Sequence, residues 1–523
     1  MKKTVLLMLL CLTLLLAVGC STSTPVDTDD VTDNISDSTQ SGALWVGEGL
    51  EITETVIKST DTLDELTAFY ANESFPERFV LDTKLTMTKY SCLRFIIEAK
   101  YNDSGELTSG YTVMVDARVG KFYLTSFYEG TQTKLTESSF TKTSDGIYYM
   151  SVTRNRNTFE ASIYKDEEKT QYLGYASVLA RELSGDTVAF GLCGDTVISD
   201  INIGEFKKDE TLKYYQNPIH EQMADPSIYY EDGVYYLFST GDFFECYTTT
   251  DLINYTPVGK VADTKDLFGS SYFGGAVIHK FDGIYYLFYT THPDDTKQNY
   301  VTCVATSDNI LGPYTQPKQT MIHETLCTKK SAGSFVMTAP DGRTFLYWYN
   351  TESGYGNNIH GAEVTIADGV VTLKEETERR LLVATEDWEK KEENGVRGSI
   401  VERPTVYYHN GYYYLFYAGS HWKTSYGEGY AVSKDPLGEF VKYENNPILN
   451  STSSLNGVGC TILVPSPDGK ELFVLYHCHY NTTTPYPRQL CIDRLVFVDN
   501  GDDADIAFII GPTATPQPYP SGG

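Results

Sequence analysis

The sequence is short of positive charge: 41 Lys and Arg stand against 70 Asp and Glu in 523 residues, a net charge of −29. Phosphate backbones need clustered cations, so nucleic acid is excluded as a partner, and an anionic membrane surface is disfavoured for the same reason. The ten cysteines include no Cys-x-x-Cys pair, and Cys478 has only His477 and His479 beside it. A zinc knuckle is therefore unsupported, and most of these cysteines read as small buried hydrophobes rather than bridges. No Gly-rich loop joins a strand to a helix, so nothing requires a nucleotide or redox cofactor. After residue 18 no apolar run is long enough to span a bilayer. Long helical periodicity is also missing. What the chain has in plenty is tyrosine, 41 residues, together with 42 glycines. That combination favours β-structure, and 41% hydrophobic residues supply enough apolar surface to exclude disorder over most of the length.

The N-terminus has its own grammar. Lys2-Lys3 precede an apolar stretch from Val5 to Val18, too short for a membrane span, followed by Gly19-Cys20. The junction Leu16-Ala17-Val18-Gly19-Cys20 resembles a bacterial lipobox, which implies removal of residues 1–19 and lipid attachment at Cys20. Residues 20–43, rich in Ser, Thr and Asp, then form a solvated tether. The expected location is the bacterial cell surface or exterior, with the membrane met only through that anchor.

Two blocks follow. Residues 44–207 carry short alternating runs at 90–101, 111–118, 122–128, 147–153, 159–164 and 188–193, split by turns such as Asn102-Asp103-Ser104-Gly105. Such spacing predicts an antiparallel β-sandwich. Its close, Ser199 to Phe206, resembles the last strand of concanavalin-like jelly rolls, implying a structural or glycan-binding module. From 208 to 510 a repeat appears: an Asp-Gly or Asn-Gly turn followed by an aromatic strand, as DGVYYLF, DGIYYLF, DGRTFLY, NGYYYLF and DGKELFV. The turn glycines lie at 233, 283, 342, 411 and 469, spacings of 50, 59, 69 and 58. Five hairpins with room for four strands each predict a five-bladed β-propeller around a channel. The fold class is thus all-β, a sandwich then a propeller, with 511–523 expected as a flexible tail.

A propeller gathers the first strand of every blade around one axis. Asp225 lies eight residues before Gly233 and Glu402 nine before Gly411, so the two acids are expected at similar heights near the channel mouth. Two carboxyl groups in one pocket can hydrolyse a glycosidic bond: one protonates the leaving oxygen, the other activates water. Sugar rings stack on aromatic faces, and Phe243, Phe244, Phe273 and Trp422 are the candidates in loops beside blade strands. Trp348, inside a hairpin strand, reads as core.

Residues 216–500 resemble glycoside hydrolase family 43. The resemblance rests on Ala224-Asp225-Pro226-Ser227, Ala305-Thr306-Ser307-Asp308, Val401-Glu402-Arg403-Pro404, Tyr476-His477-Cys478-His479 and Arg488 with Ile492-Asp493-Arg494-Leu495. It implies Asp225 as general base, Glu402 as general acid, Arg488 as a substrate-binding arginine, and an inverting mechanism on plant-type polysaccharides. An α-L-arabinofuranosidase or β-xylosidase activity is the natural expectation.

The departures matter too. The family's third acid, in blade three, is missing from Lys330-Ser331-Ala332-Gly333-Ser334-Phe335, and loss of that negative neighbour predicts a lowered pKa for Glu402. A Gly-His pair associated with a channel metal reads Gly459-Cys460, and Cys is a poor ligand for the structural calcium this position raises. No metal ligand set is assigned and no cofactor is required. The alternative reading is a cell-surface lipoprotein that captures glycans on a degenerate glycosidase propeller. Oligomeric state is not legible.

Overall fold

A computed structural model describes residues 45–523 apart from 54, 60–63, 71–75, 241–243, 295, 297–298, 317–321, 323–330, 351–357, 391, 393–394 and 396–398. The expected signal peptide at 1–19, Cys20 with its expected lipid attachment, the expected tether and Phe243 lie outside the described residues. The chain divides into two compact units, Met1–Asp209 and Glu210–Gly523.

The first unit is a β-sandwich of two seven-stranded sheets. Strands Cys92–Tyr101, Leu107–Asp116, Lys121–Tyr128 and Thr187–Cys193 belong to one sheet, and Phe79–Met87, Ile147–Asn155, Thr158–Tyr164 and Thr196–Glu205 to the other. Alternation sends Leu81, Leu85, Phe95, Val113, Val115, Leu124, Met150 and Val152 into one shared core. Cys92 and Cys193 stand opposite each other on neighbouring strands and form a disulfide. The sequence carries no sign of this bridge, since 101 residues separate its partners. Cys246, Cys303, Cys460, Cys478 and Cys491 are free and buried, as small hydrophobes would be.

The second unit is a five-bladed propeller. Its hairpins open with Ala224–Glu231, Ser271–Phe281, Ser331–Thr338, Val401–His409 and Gly459–Pro465. Each of these first strands adjoins the next, and the fifth adjoins the first, so the ring is closed. The turns obey their sequences. Asp232-Gly233, Asp282-Gly283 and Asn410-Gly411 all have positive φ at both residues, as a two-residue hairpin requires.

Closure of the ring is polar as well as apolar. Tyr214–Tyr215 pairs with Gln517–Pro518, and the Asn217 amide donates to the Ile492 carbonyl at 2.9 Å and to Asp493 Oδ1 at 3.2 Å. Residues 511–523 are therefore not a flexible tail. Thr513 and Ala514 are buried, and the Thr513 N–H donates to the buried Asp493 carboxyl at 3.0 Å. Upstream of blade one, the Ile219 and Met223 N–H groups donate to the carbonyls of Leu490 and Arg488, both at 2.7 Å. That pairing delivers Asp225 to the side of Arg488.

Candidate active site

All five first strands carry the same defect. Pairing slips between Ala224 and Ser227, Gly274 and Val277, Ala332 and Phe335, Glu402 and Thr405, and Gly459 and Ile462. The residue inside each slip has positive φ: Asp225 (47°), Gly275 (64°), Gly333 (56°), Arg403 (54°) and Cys460 (60°). A bulge re-aims the side chain it carries, and fivefold repetition gathers these five positions. The preceding blade ties down three of them. Thr240 Oγ1 accepts the Gly275 N–H at 3.1 Å, Thr290 Oγ1 the Gly333 N–H at 3.1 Å, and His477 Nδ1 the Asp225 N–H at 3.2 Å. The counterpart of Asp225 in blade four is thus Arg403, with Glu402 one residue earlier. Equal turn offsets give the right neighbourhood but the wrong equivalence.

Asp225 is buried and held from two sides. Arg403 Nη2 donates to Oδ2 at 2.7 Å and Arg488 Nη1 to Oδ1 at 2.9 Å. Burial opposes ionisation, but Arg403 and Arg488, aided by His477 and the Cys460 thiol, hold this carboxyl well below the usual range. Glu402 is also buried, and Tyr426 donates its hydroxyl to Oε1 at 2.6 Å. Burial pushes Glu402 up to about 7. The Asp225 charge acts in the same sense, against Tyr426, Arg403 and Arg488. The expected lowering of Glu402 is therefore reversed, because desolvation outweighs the missing neighbour. Tyr426 also stands 3.3 Å from Cys460 Sγ, so hydroxyl and thiol link the surroundings of the two acids.

The aromatic candidates divide. Phe244 and Phe273 are core, packed with Tyr289 at ring-centroid distances of 5.4 and 6.2 Å, and are not sugar contacts. Strand alternation explains this: Phe273 points inward, while its neighbour Tyr272 is 39% exposed and feels the charges of Arg403 and Asp225. Trp422 stays at the site, half-buried, with the Arg488 guanidinium 6.0 Å and Tyr486 5.6 Å from its ring. Trp348 is core. Arg403, His477, Tyr426 and Cys460 are site residues to which the sequence alone assigns no role. The Pro after both Asp225 and Arg403 is the available signal, since it marks the same bulge in blades one and four.

The family model for glycosyl hydrolases family 43 matches residues 215–502, more than half of the chain. The chain belongs to glycosyl hydrolase family 43. Its chemistry is accordingly glycoside hydrolysis, and its substrates are poly- or oligosaccharides. Among solved structures, a thermostable family-43 glycoside hydrolase is 26% identical, spanning 59% of this chain and 100% of its own, with a TM-score of 0.50. An endo-1,4-beta-xylanase from Bacteroides thetaiotaomicron VPI-5482 is 27% identical over 59% of this chain and 99% of its own (TM-score 0.49). An alpha-L-arabinofuranosidase from Lactobacillus brevis is 21% identical over 58% and 98% (TM-score 0.48). No curated protein matches at a significant level.

In this family-43 chain the channel does not suit calcium. Asp225, Cys460 and His477 offer ligand atoms within 4.8 Å of one another, but a thiol and an imidazole are not the oxygen donors calcium takes. Both Asp225 oxygens already accept guanidinium N–H groups, whose charge repels a cation. Burial keeps the Cys460 thiol protonated.

Proposed function

We propose that the propeller of this family-43 hydrolase cleaves glycosidic bonds by single displacement, with Glu402 as general acid and Asp225 as general base. One observation carries the reading: two buried carboxyl groups, close enough for the Asp225 charge to act on Glu402, are driven apart, Glu402 up to about 7 and Asp225 far down. Such a separation is what an acid–base pair needs at neutral pH. Glu402 gives its proton to the leaving oxygen. Asp225 takes one from the attacking water, and inversion follows because the water enters from the face opposite the leaving group. A carboxylate so firmly held by two arginines is a weak base, so water activation here leans on positioning more than on proton affinity. Arg488 and Trp422 are proposed to contact the sugar. Arabinofuranosides and xylosides are the proposed substrates, in line with the sequence expectation.

The test is sugar release from arabinan, arabinoxylan and galactan, and from aryl arabinofuranoside and xyloside, by wild type beside Glu402→Gln. The substitution is expected to abolish release, and release that survives it overturns the assignment. Glycan capture without turnover, the other reading of the sequence, would instead give background hydrolysis with binding intact.

We also propose lipid attachment at Cys20 and display on the cell exterior, supported by the Leu16–Cys20 junction. Fatty-acid labelling that persists in Cys20→Ala overturns it. The sandwich is proposed as a structural or glycan-binding companion.

A further inference from the structure

The pocket has one more cation than it has an evident use for. Asp225 is the ionised carboxylate that both Arg403 and Arg488 contact, and Glu402 directs its carboxyl to Tyr426 instead. Two guanidiniums therefore share one hydrogen-bonded counter-charge. His477 is neutral because burial and Arg488 hold its pKa well below the usual value, and burial likewise keeps the Cys460 thiol and the Tyr272, Tyr349 and Tyr426 hydroxyls against this cluster protonated. An uncompensated buried cation is costly, and it is conspicuous in a chain of net charge −29.

Donors are left over as well as charge. The Arg488 Nε–H is buried without a partner among the described residues. Among the described residues Arg403 spends only Nη2, on Asp225 Oδ2 at 2.7 Å and Thr240 Oγ1 at 3.1 Å. Its stem lies over Gly333 and its Nη1 over Gly275, two bulge positions that carry no side chain of their own. The rings of Trp422 and Tyr486 each lie 6.0 Å from the Arg488 guanidinium, and Tyr486 is half exposed. An apolar sugar face and a negative group are thus provided for side by side.

We propose that the pocket takes a sugar unit bearing a carboxylate, a uronic acid residue, with Arg403 and Arg488 as its receptor and the Trp422–Tyr486 edge against its ring. The inference rests on the reading that this pocket is the sugar site, and it narrows the substrate class within that reading. The substrate's carboxylate supplies the second negative charge, which none of the described residues of blade three contributes at the Gly333 bulge.

The test is calorimetric binding to the full chain carrying Glu402→Gln, so that nothing is turned over. Probes are glucuronate and galacturonate against glucose and galactose, with xylose, arabinose and acetate as controls. The expected result is binding of one uronate about tenfold or more tighter than its neutral counterpart, with acetate weak. Arg403→Met is expected to erase most of that preference and Arg403→Lys to retain part of it. The comparison of sugars on the unaltered arginine pair stands even where these two variants fail to fold. Equal or tighter binding of the neutral sugars overturns the proposal, as does acetate binding as well as uronate or no uronate binding at all. Hydrolysis of neutral aryl glycosides lost in Glu402→Gln, without uronate preference, sinks this inference and leaves the acid–base reading intact. Uronate preference without hydrolysis of any glycoside does the reverse.

Discussion

The Arg403 side chain crosses Gly333 so closely that a β-carbon at Gly333 would stand 3.0 Å from Arg403 Cδ and 2.3 Å from the Tyr349 ring. The blade-three bulge therefore has no room for a side chain: the space beside Gly333 is taken by Arg403 of blade four and by Tyr349 of blade three itself.

Gly333→Ala tests that packing. Gly342, in the blade-three hairpin, also has positive φ, but a β-carbon there would meet nothing within 4 Å, so Gly342→Ala carries the backbone strain alone. Gly333→Ala is expected to cost about 1–3 kcal/mol more than Gly342→Ala in denaturant unfolding, the usual penalty for overpacking. Equal costs would remove the crowding argument.

The pH profile of kcat/KM should fall on the alkaline side near pH 7, where Glu402 gives up its proton. Tyr426→Phe removes a hydrogen bond that favours the charged carboxylate, so the alkaline limb should move to higher pH. A limb that stays put, or moves down, would show that Tyr426 does not act on the acid.

On the acidic side the expectation is different. Asp225 stays ionised through the ordinary working range because two guanidiniums oppose its protonation. Arg488→Met removes one of them, so the Asp225 pKa rises and a new loss of activity should appear as pH falls. Rates at neutral pH should drop by about 10- to 100-fold, as expected when a charge-assisted contact is lost. An unchanged acidic limb in this variant would argue against Asp225 as the base.

The stability that three buried carboxyl groups give the propeller should decrease as pH rises from about 4 to about 8, by linkage with groups protonated only when folded. Burial pushes Glu428 up to about 8, and Asp493 and Glu402 up to about 7, from 4.5, 3.8 and 4.5 respectively. Between those limits these three groups hold more protons folded than unfolded, so their share favours unfolding as pH rises. Below about pH 6.5 His477 and His279, whose burial lowers their pKa and which take up protons on unfolding, oppose it. Glu428 accepts from Thr461 at 2.7 Å through one oxygen, and its other oxygen is buried without a partner among the described residues. Glu428→Gln should flatten the slope by up to about 1.4 kcal/mol per pH unit within its window. Chemical denaturation at pH 5, 6.5 and 8 reads this directly.

Cys92–Cys193 should matter only to the sandwich, whose strands it joins. The double substitution to Ser is expected to lower the unfolding free energy of that unit by about 2–4 kcal/mol, with glycoside hydrolysis unchanged. Loss of activity would show coupling between the two units.

The Asp-Gly and Asn-Gly turns are legible because a two-residue hairpin accepts few residue pairs, and their count sets the number of blades. Asp225 and Glu402 are legible as acids beside a stiffening proline in apolar surroundings. Less legible are the aromatics: Phe244 and Phe273 sit in loop-like sequence, yet both pack into the blade core, Phe273 through strand alternation and Phe244 from the bend just before Glu245–Thr249. Arg403 stands within a recognisable motif but shows no role there, because nothing local reveals that a bulge aims it at a carboxylate 178 residues earlier.

The sequence by itself determined the repeat, the turns, the two acids and the family, since each depends on residues close together along the chain. Only the tertiary structure decided the state of the site. Burial of Glu402, the double guanidinium clamp on Asp225 and the seating of Arg403 over Gly333 all arise where five blades meet. At that meeting point desolvation and through-space charge outweigh whatever the neighbouring residues in sequence prefer.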